Sequence, residues 1–259
     1  MKRRKKEKNE NIVIVLSIIV ILIAITSIFT NIKNLQTKNA IKENYLETKF
    51  TTTFQSNFSR VEFPLLAIDE NGYGAITKLI VEVKNGTGKV LVNIENLFFW
   101  VDTQNSIRVA KEIAEKITKI NTSNLDIIYT IEANASIVGG PSAGSAITIA
   151  TIAALSQKEI NREVVITGTI DENGNIGKVG AVKEKCLAAK NNGAKICLVP
   201  NGQSKEIELI PKRSCTKIGN FEFCTITYET KEVNLSEELG MNVIEVSKIE
   251  DALKYFFKS

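Results

Sequence analysis

Two side chains in this sequence stand out as able to do chemistry: a serine on a glycine-rich elbow and a lysine set into an apolar helical stripe. The serine is Ser142, in Gly139-Gly140-Pro141-Ser142-Ala143-Gly144, where a strand should give way to a helix. Lys185 follows 43 residues later, within Gly180-Ala181-Val182-Lys183-Glu184-Lys185. The 259 residues contain no histidine. That excludes a Ser-His-Asp triad and any histidine-ligated zinc site. A serine nucleophile here needs another base, and a lysine amine is the known substitute.

Small neighbours suit Ser142 to that role. Gly140, Ala143 and Gly144 let backbone approach a ligand closely. The unpaired N–H groups of a first helical turn can hold the negative oxygen of a tetrahedral acyl intermediate. Pro141 has no N–H to offer. The stretch equally fits an ordinary N-cap serine in a glycine-rich loop. Val182, Lys185, Cys186 and Ala189 fall at i, i+3, i+4 and i+7 and share one helix face, whereas Lys183 and Lys190 belong to a wetter one. To work as a base near neutrality, Lys185 must lose roughly three pKa units from about 10.4, or about 4 kcal/mol. Desolvation can supply that. A lysine whose stem covers the core while its amine reaches water fits the same spacing. Thr167 shares a strand face with Val165 and Thr169, and its hydroxyl could hold the Lys185 amine. It also reads as an ordinary β-branched strand residue. Asp102 reads as the N-cap of a following helix.

The elements around these residues are mixed. Lys78–Lys84 and Lys89–Ile94 flank Asn85-Gly86-Thr87-Gly88 and predict a hairpin. A helix is expected from about Thr103 to Ile120, on a stripe of Ile107, Ala110, Ile113, Ala114 and Ile117. A strand follows over Asp126–Ala133. Ser142–Leu155 is apolar on nearly every side and predicts a central buried helix. Glu163–Ile170 predicts a single strand, followed by a tight turn at Asn173-Gly174. Ala181–Asn192 predicts a helix stopped by Gly193, and Lys195–Val199 a strand. Residues 204–245 read as an appendage. The closing helix carries a capping-box pattern at Ser247 and Glu250. This order predicts an α/β or α+β fold with helices packed on mixed sheets. There is no internal repeat.

The net charge of +4 comes largely from the first ten residues. There Lys2, Arg3, Arg4, Lys5, Lys6 and Lys8 face only Glu7 and Glu10. The rest is close to neutral, so no nucleic-acid footprint is indicated. Ile12–Thr30 is a run of 19 uncharged, mostly aliphatic residues, the length of a transmembrane helix. A cleaved signal peptide is the rival reading. The preceding basic cluster favours a cytoplasmic N-terminus. The expected organisation is therefore a basic cytoplasmic tail (1–10), a transmembrane helix (11–30), a polar stalk (31–50) and a domain (51–259) outside the cytoplasm. Counting outward from Gly219-Asn220 sets Cys215 directly opposite Cys224, so a disulfide is expected there, as in an oxidising compartment. Two reduced cysteines sharing a strand pair remain the alternative. Cys186 and Cys197 read as small buried hydrophobes. The chain has no CxxC, so no metal cluster is expected. Sequons at Asn57, Asn85, Asn121, Asn134 and Asn234 permit glycosylation.

Taken together these segments resemble the proteolytic domain of the Lon proteases, over about Leu65 to Pro200 and the closing helix. The motifs carrying the resemblance are Gly140-Pro141-Ser142-Ala143-Gly144, Thr167-Gly168 and Val179 to Lys185 leading into Ala188-Ala189. The Asn192-Gly193-Ala194-Lys195 turn continues the pattern. The resemblance implies the Lon proteolytic-domain fold, with Ser142 as nucleophile, Lys185 as its general base and Thr167 touching the lysine. It implies polypeptide substrates, no cofactor and, since relatives form rings of six, a homo-oligomer. Three departures stand out. Gly139 replaces an acid found in bacterial members. Lys178-Val179-Gly180-Ala181 replaces the usual Pro-Val-Gly-Gly. No G-x-x-x-x-G-K-[ST] occurs, so activity without ATP is expected. The likeness is nearest to stand-alone, membrane-anchored archaeal Lon-like serine proteases. A catalytically inactive Lon-like fold serving as a membrane-tethered scaffold is the alternative.

Overall fold

The computed structural model describes residues 57–93, 98–99, 101–133, 137–138, 140–219 and 221–257. The apolar run, the stalk, Asn134, Gly139 and Asn220 lie outside the described residues. Among those described, no helix is long and apolar enough to cross a membrane.

The chain runs through β1 (Phe58–Ile68), β2 (Gly74–Asn85), β3 (Val90–Val92), β4 (Phe98–Phe99) and α1 (Val101–Thr118). Then come β5 (Leu125–Glu132), β6 (Ile137–Val138), a 3-10 turn (Pro141–Ala143) and α2 (Gly144–Ser156). The next segment holds β7 (Val164–Ile166), β8 (Thr169–Ile170), β9 (Ile176–Gly177), α3 (Val182–Asn191) and β10 (Ile196–Pro200). The last is β11 (Lys205–Ile218), β12 (Phe221–Asn234), α4 (Leu235–Leu239), β13 (Asn242–Val246) and α5 (Ile249–Phe256). This is the mixed arrangement of sheets and helices that the sequence pattern predicts.

The hairpin predicted across residues 85–88 does not form. β2 pairs antiparallel with β1 and β5, while β3 pairs parallel with β5, giving the order β1-β2-β5-β3. The glycine-rich connection instead arches over the start of β5. The Asp126 carboxylate accepts the N–H groups of Thr87 (2.8 Å) and Lys89 (3.0 Å), which hold it below the ordinary aspartate range. The first hairpin is β1–β2, whose turn is organised by Asp69 accepting from the amides of Asn71 and Tyr73.

α2 is buried at every residue from Gly144 to Ser156 and packs on α1, β1 and β2. Its hydroxyls survive burial by bonding to carbonyls one turn back, Thr148 to Gly144, Thr151 to Ile147 and Ser156 to Ile152. α3 packs on β1 and β2, within a cluster that includes Leu66, Val165, Cys197 and Val199. β7, β10 and β13 make a second, parallel sheet.

The projecting appendage is narrower than 204–245. Every described residue from Leu209 to Glu232 is exposed, whereas Leu235, Leu239, Val243 and Val246 are buried in the body. The ribbon β11–β12 pairs from Lys205↔Asn234 out to Ile218↔Phe221. Cys215 lies opposite Cys224 and is bonded to it. Cys186 and Cys197 also form a disulfide, with Cα atoms 5.8 Å apart, so they are more than buried hydrophobes. Their elements pack face to face, a proximity that no sequence register reports. Two N-cap readings are corrected. Helix α1 starts at Val101, putting Asp102 inside its first turn. Helix α5 starts after Lys248, and the Ile249 amide is met by the Gly174 carbonyl (3.0 Å), not by a Ser247 side chain.

Candidate functional site

The site is assembled where a strand breaks. Glu163–Ile170 is not one strand: β7 ends at Ile166, and Thr167-Gly168 leave that sheet before β8 resumes in a different ribbon. The break is spent on the serine turn. Gly168 N–H donates to the Ser142 carbonyl (3.0 Å), and Ser145 N–H donates back to the Gly168 carbonyl (3.0 Å). The Thr167 hydroxyl, itself buried, also donates to the Ser142 carbonyl (3.4 Å). Such close contact tolerates no side chain. A Cβ on Gly168 would lie 2.4 Å from Ile176 Cγ2, and one on Gly144 would lie 2.7 Å from Ile170 Cγ2.

Ser142 is half-buried in the 3-10 turn before α2. Gly140, at φ +93°, turns the chain into it, and its carbonyl accepts from Thr103 Oγ1 (3.4 Å). Of the small residues expected around an oxyanion, Gly144 has its N–H committed to the Pro141 carbonyl. The Ser145 amide is committed as well. Ser142 and Ala143 carry the amides at the opening of the turn.

Lys185 lies on the buried face of α3 with Val182, Cys186 and Ala189. It is only 5 % exposed, and burial pushes its amine below the ordinary lysine value. Its side chain makes no hydrogen bond or ion pair among the described residues. Lys183, two positions earlier, shows the contrast. Hydrogen bonds to Glu208 (2.8 Å) and Glu238 hold it charged, well above the usual lysine range. The wet and dry faces predicted for this helix thus shift their lysines in opposite directions.

The expected meeting of Thr167 with the Lys185 amine is not seen. The strand break carries the Thr167 hydroxyl to the Ser142 carbonyl instead. The structure brings Thr167, Gly168 and Ser142 together, and no hydrogen bond joins Ser142 to Lys185 among the described residues. A cleft of about 810 Å³ opens elsewhere, beside Glu62, Lys78, Glu132 and Arg162, and contains neither residue.

Two features around Lys185 have no signal in sequence. Gln203 clamps the loop before α3 from both sides: Val179 N–H donates to Gln203 Oε1 (2.9 Å), and Gln203 Nε2 donates to the Val179 carbonyl (2.7 Å). The disulfide to Cys197 fixes the residue next to Lys185 onto β10. Ala181, the N-cap of α3, sits at φ 56° and ψ 45°. This left-handed conformation disfavours a residue with a Cβ.

Comparison with known proteins agrees with the motifs. The Lon protease (S16) C-terminal proteolytic domain matches residues 101–237, from the start of α1 through Lys185 to α4. The archaeal Lon protease of Methanocaldococcus jannaschii is 28 % identical over 176 residues, covering 61 % of this chain and 26 % of that protein. The Lon protease of Mycoplasma mycoides is 29 % identical over 143 residues, covering 55 % and 15 %. That of Ureaplasma parvum is 35 % identical over 94 residues, covering 36 % and 12 %. The chain thus spans about a quarter or less of the length of these relatives. Because the match takes in the serine turn, the strand break and the lysine helix, this chain belongs to the Lon protease (S16) C-terminal proteolytic domain family.

Proposed function

We propose that the chain is a membrane-anchored, ATP-independent serine endopeptidase in which Ser142 is the nucleophile and Lys185 the general base. The observation carrying this is Lys185, buried and without a hydrogen-bond or ion-pair partner among the described residues, whose amine is lowered by burial while Lys183 nearby is held charged. A neutral amine is what a base must offer. Lys185 Nζ takes the proton of Ser142 Oγ as that oxygen attacks the peptide carbonyl carbon. The oxyanion draws on the amide of Ser142, which precedes the first i→i+3 bond of the turn. The resulting ammonium returns the proton to the departing amine as the C–N bond breaks. Water, deprotonated by the same amine, then releases the acyl group and regenerates Ser142. The Oγ–Nζ hydrogen bond would form in the substrate complex, since catalytic hydrogen bonds are often long or absent in the free enzyme. The two disulfides suit an oxidising compartment. Together with the basic N-terminus ahead of an apolar run, they favour a domain outside the cytoplasm. An ATP-independent enzyme of this kind would take peptides or flexible chains.

The absence of a hydrogen bond between Ser142 and Lys185 among the described residues favours a second reading, an inactive fold acting as a tethered scaffold. Full-length protein in detergent, offered a labelled unfolded protein, separates the two. The peptidase reading expects cleavage that falls by at least about a thousandfold in Ser142→Ala and in Lys185→Met. It also expects a serine-directed fluorophosphonate to label Ser142 only when Lys185 is present. Equal turnover by wild type and Ser142→Ala ends the peptidase reading.

A further inference from the structure

We propose that the outer end of the β11–β12 ribbon seats on an anionic lipid surface. The two-stranded ribbon pairs fourteen residues on each strand, about 45 Å in length, and is exposed throughout from Leu209 to Glu232 among the described residues. Its far end is apolar on one face. Ile218 lies opposite Phe221, with Phe223 two residues further on, and the three are 63 %, 73 % and 61 % exposed. A cluster of large apolar side chains held in water at the extremity of a ribbon marks an interaction surface.

Charge along the ribbon identifies the occupant. In the outer half (211–228), Lys212, Arg213 and Lys217 against Glu222 leave two net positive charges. In the inner half, Lys205 and Lys231 against Glu206, Glu208, Glu229 and Glu232 leave two net negative charges. A planar anionic surface attracts the first and repels the second, so it is met end-on, tip first. Aromatic and aliphatic side chains backed by lysine and arginine are what an interfacial segment presents to headgroups and acyl chains. A protein partner running along the ribbon would instead have to meet both signs. The Cys215–Cys224 disulfide, at the fourth rung behind the turn, holds the tip's register.

With the apolar run as the anchor proposed above, the length of chain between it and β1 would allow the ribbon to reach lipid. The 19-residue uncharged run ends at Thr30, and 27 residues separate it from the start of β1. Fully extended they span up to about 90 Å, which exceeds the ribbon's own length. The anchor reading enters only by bringing the ribbon near a bilayer, so the two stand or fall separately.

The experiment places a fluorophore at the tip. Full-length Phe221→Trp, in a Trp100→Phe background, is reconstituted in phosphatidylcholine–phosphatidylglycerol vesicles with brominated acyl chains. The proposal expects the indole emission to shift to the blue and to fall about twofold relative to unbrominated vesicles, as for a side chain at the acyl boundary. Both effects should vanish in Lys212→Glu/Arg213→Glu/Lys217→Glu and in pure phosphatidylcholine. An indole that stays red and unquenched overturns the proposal. One that is blue-shifted but unquenched also overturns it and assigns the tip to a protein surface, of this chain or a second copy. Equal quenching without phosphatidylglycerol overturns the anionic preference. Alkaline extraction of the same vesicles reports the N-terminal run alone, and its failure there leaves tip quenching to be judged by itself.

Discussion

The amide of Gly168 and the carbonyl of Ser142 lie 3.0 Å apart in a hydrogen bond that ties a broken strand to the candidate nucleophile. The return bond from Ser145 N–H to the Gly168 carbonyl closes the pair into a two-bond clasp. Gly168→Ala tests what the clasp does. The added methyl would sit 2.4 Å from Ile176 Cγ2, so the strand must retreat from the serine turn. The expected stability loss is about 1–3 kcal/mol, typical of overpacking, read by urea denaturation. Any proteolytic activity should fall further than the unfolded fraction explains, because Ser142 loses its support.

Lys185 predicts a pH dependence with a definite sign. Burial lowers its folded pKa below 10.5, so the unfolded chain takes up the proton first as pH falls. The residue costs nothing above 10.5, where both states are neutral. The cost grows as pH falls from there to the folded pKa and is constant below it. Lys185→Met should therefore raise stability at neutral pH and lose that advantage in the alkaline range. Turnover, if Lys185 is the base, should rise with pH to a midpoint below the ordinary lysine value. Lys185→Arg, with a side chain that stays protonated, should be inactive throughout. Parallel stability curves for wild type and Lys185→Met across the alkaline range would show that the amine is not desolvated.

What the sequence made legible was local. The buried face of α3 follows from helical spacing, and Val182, Lys185, Cys186 and Ala189 are all buried as a set. The rungs of the cysteine hairpin follow from counting outward from a turn. The misses are contacts between segments distant along the chain. β5 enters between β2 and β3 because Asp126 binds the loop that would otherwise have closed a hairpin. Thr167-Gly168 carries no mark of a break, since its β-branched threonine suits a strand, and only the serine turn draws it out. Gln203 is an ordinary loop residue until the Val179 backbone meets it. Cys186 and Cys197 sit on a helix and a strand, where no shared register exists to pair them.

The Cys186–Cys197 bridge closes a loop of eleven residues in sequence separation. The chain-entropy argument gives such a loop roughly 3 kcal/mol of stabilisation. Cys186→Ala/Cys197→Ala should lower stability by about that much under non-reducing conditions. Reduction of wild type should reproduce the loss only after partial unfolding, since both sulfurs are buried. Free thiols detected in the unreduced, denatured wild type would remove the bridge and this prediction with it.

Ser145 is the exception among the α2 hydroxyls. Its Oγ is fully buried with no partner among the described residues. The carbonyl one turn back belongs to Pro141 and already accepts the Gly144 amide. A buried hydroxyl in that state costs about 1–3 kcal/mol. Ser145→Ala should accordingly leave the protein as stable as wild type or more so, by up to about 1 kcal/mol once lost packing is counted. A marked loss in thermal denaturation would mean the hydroxyl is bound after all, for example by an internal water.

Ala181 carries a strain that one substitution should relieve. It holds φ 56° and ψ 45° at the N-cap of the Lys185 helix, where the related motif has glycine. A Cβ in this conformation costs roughly 1–2 kcal/mol. Glycine recovers that but loses about 0.4–1 kcal/mol through its freer unfolded chain. Ala181→Gly should therefore stabilise the fold by about 0.5–1 kcal/mol, measured as a shift in urea midpoint at unchanged slope. The same change lets the loop of Val179 and Gly180 flex against its Gln203 clamp. If the left-handed turn sets the position of Lys185, Ala181→Gly and Gln203→Ala should move turnover in the same direction while moving stability in opposite ones. Stability that falls in Ala181→Gly would mean that the left-handed turn is not the conformation the helix adopts.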